Sequence, residues 1–237
     1  MRPVRRMGGG GLGIPGLESV AAKLAVGMVA VSALFMLTKE ASGALLLLIP
    51  NAVRRGYVWE LFSYAFVEGD VLGILFGAFI IWSIGSWLEG VWGPRKLLML
   101  GLGGTALAGA LTVAVSFVLP VGGYAFFGGT VMGSILWVAY GLVIGRGQTN
   151  FWGMPLSGNM LAGIGVLFVL LRAFQVGWAA QLPDLFGLLL AFGYVKGKSP
   201  RGLWLHFQHW RLQRQLRNRS RNLRVISSER PDDRFLN

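Results

Sequence analysis

Long charge-free apolar stretches alternate with short polar breaks along this chain, and their lengths predict helices that cross a membrane. A bilayer core takes about 20 apolar residues in helical form. Such runs fall near 19–38, from Val71 to Leu88, through 97–145, near 157–173 and near 179–196. The 97–145 run is too long for one helix. Leu119-Pro120-Val121-Gly122-Gly123 divides it, since proline lacks an amide donor and glycine frees the backbone. The pattern therefore predicts six spans. Lys23 lies close enough to the end of the first to snorkel, and Asp184 interrupts the sixth. No clear small-x-small cleavage site follows the first run over Met28 to Thr38, so it reads as a span and not a signal peptide.

The stretch between the first two spans, residues 39–70, holds a short apolar run from Ala44 to Pro50 and then Tyr57-Val58-Trp59-Glu60-Leu61-Phe62. Neither piece can span. Aromatic residues flanked by charge predict an element lying in the membrane interface.

Composition agrees with the pattern. Apolar residues make up 54% of the 237 and charged residues 14%, against about 25% charge in a soluble domain. Cysteine is absent, which excludes disulfides, thiolate nucleophiles, iron–sulfur clusters and cysteine zinc sites. The two histidines, His206 and His209, have no third ligand beside them, so no metal or cofactor is expected. Gly101-Leu102-Gly103-Gly104-Thr105-Ala106 imitates a dinucleotide fingerprint but sits inside a spanning run with no strand before it, and reads as a packing face.

The net charge of +12 is concentrated at the chain's ends: +3 over 1–16, +7 over 198–237 and only +2 between. Three segments follow: a basic glycine-rich leader (1–16), a six-helix membrane domain (17–197) and a basic tail (198–237). Lys and Arg favour the cytoplasmic side. Six crossings place both termini there, with Arg95, Lys96 and Arg146 in loops on the same side. Arg54 and Arg55 fall opposite. Trp204, Phe207, Trp210, Leu212 and Leu216 among the tail arginines form a possible amphipathic contact with anionic lipid, and specific nucleic-acid binding is not expected.

Two motifs carry a family resemblance. Trp59-Glu60-Leu61-Phe62-Ser63-Tyr64-Ala65-Phe66 resembles the segment before the second helix of rhomboid intramembrane proteases. Gly85-Ser86-Trp87-Leu88-Glu89 with Trp92-Gly93-Pro94-Arg95 is similar to the end of that helix. The resemblance covers about 15–197 and implies an all-α, six-helix rhomboid-like bundle with an interfacial first loop. It also gives Trp59, Glu89, Gly93 and Arg95 structural roles. A carboxylate at a membrane helix end needs partners on its own account, and Gly93 lets neighbouring amides come close to Glu89.

The resemblance further implies a serine endopeptidase site whose catalytic positions have changed. Thr130 stands at the serine, in Gly128-Gly129-Thr130-Val131. Gln181 stands at the histidine, in Ala180-Gln181-Leu182-Pro183. Gly73 and Gly77 stand at the oxyanion-holding histidine and asparagine. Chemistry points the same way, because a hydroxyl is a poor nucleophile unless a base takes its proton. Both histidines follow the sixth helix, on the far face from Thr130. A threonine in such a place ordinarily bonds a carbonyl one turn back.

The expected protein is thus a rhomboid pseudoprotease in a bacterial inner membrane that binds or scaffolds other membrane proteins. The alternatives are an active protease using Thr130 and an accessory subunit of a larger complex. Glycines at four-residue spacing (Gly69, Gly73, Gly77, Gly85; Gly129, Gly133, Gly141, Gly145) suggest that the second and fourth helices close over the lost site. In the rhomboid plan substrates enter between the second and fifth helices. Phe76, Phe79 and Phe168 would line that groove for a partner's transmembrane helix, with Gln181 and Thr130 offering polar contacts.

Overall fold

Apolar runs become helices here because a helix satisfies its own backbone polar groups. The computed structural model describes residues 18–38, 45–151 and 154–197. The leader 1–16, His206, His209 and the rest of the tail's expected amphipathic stretch lie outside them. Among the described residues there are six helices of 15 residues or more: α1 (Val20–Leu37), α2 (Val71–Trp92), α3 (Pro94–Val115), α4 (Gly129–Ile144), α5 (Gly158–Val176) and α6 (Leu182–Lys196). Side-chain oxygens of Ser19, Asp70 and Ser157 accept amides at the starts of α1, α2 and α5, the ordinary N-cap arrangement.

Length separates the six. α1, α2, α3 and α5 are long and apolar enough to cross a membrane. α4 has 16 residues and α6 has 15, about 24 and 22 Å at about 1.5 Å per residue, short of a core of about 30 Å. Four candidate spans, not six, are therefore supported by length. Boundaries shift as well. α3 starts at Pro94 and not at 97, because proline is preorganised for the first helical position; its Met99–Gly103 stretch is a π-helix. α5 runs on to Val176 and stops at Gly177, where φ is +95°. α6 starts only at Leu182, since the Gln181 amide turns back to the Trp178 carbonyl.

α4 is the centre of the packing. Val131, Met132, Ile135, Leu136 and Ala139 are fully buried, and α2, α5 and α6 pack around them, with α1 on α2 and α3 on α6. α4 and α5 touch backbone to backbone. A Cβ on Gly141 would lie 2.5 Å from the Ala162 amide nitrogen and 2.6 Å from the Gly158 carbonyl oxygen. The antiparallel hairpin β1 (Gln148–Phe151) and β2 (Met154–Ser157) joins the two helices.

The first loop forms a layer over the ends of α3 and α4. Leu48 exchanges backbone hydrogen bonds with Phe126, and the Asn51 amide donates to Gly122. Glu60–Ser63 and Tyr64–Phe66 are short helical turns. Trp59 and Phe62 stay exposed, but Tyr64 is fully buried and its hydroxyl donates to the Thr105 carbonyl. The loop is thus anchored in the bundle on one side and carries aromatics on the other.

Candidate functional site

A helix begins with four amides that have no partner inside the helix. At α4 the first loop supplies the partners. The Gly128 amide donates to Tyr64 O (3.0 Å), Gly129 to Val67 O (3.2 Å), and Thr130 to the Glu68 carboxylate (2.9 Å). Glu68 is itself held in place: its amide donates to Ser32 Oγ on α1, which in turn donates to Phe66 O. Its side chain is 1% exposed, and Arg172 of α5 approaches it at 4.0 Å. Burial pushes the Glu68 carboxyl above its ordinary range; the Gly69 and Thr130 amides and the Arg172 guanidinium pull the other way.

Two more buried acids lie at this end of the bundle. Asp184, in the first turn of α6, accepts from Ser134 Oγ of α4 at 3.3 Å. Glu60 accepts the Ile49 amide at 2.8 Å, while its other oxygen has no partner among the described residues. Burial raises the Glu60 carboxyl too.

The predicted site residues separate around this centre. Gly73 and Gly77 face filled space: a Cβ on Gly73 would meet Glu68 Cγ at 2.7 Å, and one on Gly77 the Met28 methyl at 2.5 Å. Gly129 faces the same methyl at 2.8 Å. The region between α2 and α4 is thus occupied by Glu68 and Met28. Thr130 takes part through its amide and not through the expected hydroxyl bond one turn back. Gln181 is buried (3% exposed) in the turn before α6, so it offers no contact to a docking helix. Phe76, Phe79 and Phe168 are exposed on α2 and α5, with Phe168 edge-on to Trp137.

Glu89 has partners, but not those Gly93 was expected to bring. Its two oxygens accept the Val20 and Ala21 amides at 3.1 and 3.0 Å, tying α2 to the start of α1. Gly93, with φ +84°, ends α2 through its own amide on the Glu89 carbonyl. Arg95 is exposed in the first turn of α3, and Trp59 Nε1 donates to Leu45 O.

The family model matching residues 22–196 is described as Eukaryotic integral membrane protein (DUF1751). The chain belongs to this eukaryotic integral membrane protein family. The rhomboid identification is thereby corrected. The match places the chain in a eukaryotic family, while the two motifs serve here as a loop anchor and a cap on α1. The bacterial inner membrane is corrected too, because a member of this eukaryotic family belongs in a eukaryotic membrane. No curated protein matches the chain.

Glu68 and Arg172 escaped the sequence reading of this DUF1751 member. Arg172 carried a usable signal, since an ionised residue near the end of an apolar run marks a functional place and asks for a partner. Glu68 carried none, because its partners come from α1, α4 and α5.

Proposed function

We propose that this protein is a non-catalytic membrane protein that binds transmembrane helices of other membrane proteins along the exposed faces of α2 and α5. In this reading all six helices cross, both termini are cytoplasmic, and local thinning of the bilayer accommodates the shorter α4 and α6.

Arg172 carries the proposal. It is 39% exposed, reaches Glu68 as an ion pair only at 4.0 Å, and acts on Asp184 electrostatically. Phe168 lies one turn before it on α5, 60% exposed. An arginine with five donors, held only by loose electrostatic contact with Glu68 and Asp184, has capacity at the edge of an apolar face for an acceptor on an incoming helix. Apolar burial adds little in lipid, so association depends on close packing and a few polar contacts of this kind.

Glu68 supports the absence of catalysis. An acyl-transfer site needs free amides where an oxyanion will develop. At α4 the Thr130 amide is already taken by the Glu68 carboxyl, so it is not free to bind an oxyanion.

Photo-crosslinkers at Phe79 or Phe168 are expected to capture a partner's transmembrane helix, and one at Gln148 is not. Arg172→Gln should lower the yield severalfold. Equal capture from all three positions, or none from the first two, would place docking elsewhere. Cleavage of a transmembrane substrate that is lost on Thr130→Ala would overturn the non-catalytic reading.

A further inference from the structure

At the opposite end of the bundle from Glu68, the helix termini leave an open cavity of about 440 Å³. Leu142 and Val143 at the end of α4 line it, with Trp92 from α2 and Tyr194 from α6. The two rings stand edge to face, their centroids 5.6 Å apart. Val195, Lys96 from the first turn of α3 and Lys196 from the last turn of α6 complete the lining, which contains no acid among the described residues. The volume lies within the range of about 300–1,000 Å³ typical of small-ligand sites.

We infer that this cavity binds the phosphate-bearing headgroup of an anionic phospholipid. Three features select that chemistry. The two lysines come from different helices and line one cavity with no carboxylate beside them among the described residues, so the site favours an anion. Trp92 and Tyr194 are the side chains that settle at headgroup depth, and both lie at helix ends, where that depth falls. Leu142 and Val143 give the glycerol and upper acyl carbons an apolar wall. Basic pockets between transmembrane helices recognise phosphorylated headgroups in this way. This site is separate from the α2–α5 face and does not depend on it.

The phosphate can belong to a membrane lipid or to a soluble phosphate ester, and the basic tail can attract anionic lipid without any cavity. The test therefore uses the full chain in phosphatidylcholine nanodiscs, with fluorescent phosphatidylinositol 4-phosphate as the probe. Lys96→Gln with Lys196→Gln should weaken binding about thirtyfold. Val143→Trp, which fills the cavity and keeps both lysines, should weaken it severalfold, while its helical circular dichroism signal matches that of the unaltered chain. Arg211→Gln with Arg214→Gln removes the same charge from the tail and should leave binding within about twofold. Retained binding in the Val143→Trp protein, or equal losses from the tail and lysine pairs, would overturn the site. Full displacement of the probe by soluble inositol 1,4-bisphosphate would overturn the lipid as its ligand.

Discussion

Glu68 is a loop carboxylate that has left water, and two backbone amides and a guanidinium surround it. Its acidity is therefore a direct probe of the sealed end. The folded carboxyl holds its proton to higher pH than the unfolded one, whose ordinary value is 4.5. Between the two values the folded state binds more protons, so this group's contribution to stability falls as pH rises through that window. Below the unfolded value the effect is absent, and above the folded value it is complete. Arg172, Asp70 and Asp184 face the same carboxyl electrostatically and remain in the variant. Thermal unfolding in detergent across a pH series should show the unaltered protein losing stability relative to Glu68→Gln from about pH 4.5 upward. A difference that stays constant, or that grows in the unaltered protein's favour, would mean that the carboxylate is not desolvated. Such residues are hard to find from sequence. Val67-Glu68-Gly69-Asp70 looks like an ordinary polar turn, and only the return of α1 and α4 to the same place makes Glu68 an interior group.

At the scale of elements, the closest contact is between α4 and α5. Their backbones meet at Gly141, Gly158 and Ala162, and the Trp137 indole donates to Leu161 O just beyond. Backbone atoms cannot move aside for a methyl group as a flexible side chain can. Gly141→Ala is therefore expected to destabilise the protein by about 1–3 kcal/mol, read as a lower unfolding midpoint in detergent. An unchanged midpoint would mean that α5 rides more loosely than its first half indicates. The other half of α5 is different, with Leu167, Phe168, Leu171 and Phe174 exposed. The helices themselves were legible because lipid permits only long charge-free runs. Their ends were less so: α3 absorbs Arg95 and Lys96 into its first turn, and α6 gives up residues 179–181 to a turn. The Trp-Leu-Glu helix end followed by Gly-Pro also has a local role that the sequence alone did not specify: Glu89 caps α1 and Gly93 turns the chain into α3.

For the whole molecule, the functional reading rests on all six helices crossing. Only then do Glu68, Arg172 and Asp184 lie at one membrane face while Trp92, Lys96, Tyr194 and Lys196 lie at the other. The helices in question are α4 and α6, each shorter than a bilayer core. The chain contains no cysteine, so single-cysteine variants report cleanly. Tyr124 precedes α4 and Gln148 follows it; Trp178 precedes α6 and Lys196 ends it. All four are exposed. Membrane-impermeant thiol labelling of these variants, in sealed vesicles with the cytoplasmic face outward, is the most direct measurement. Six crossings predict labelling at Gln148 and Lys196, with Tyr124 and Trp178 protected until the membrane is opened. Labelling of Tyr124 and Gln148 from the same side, or of Trp178 and Lys196 from the same side, would contradict it.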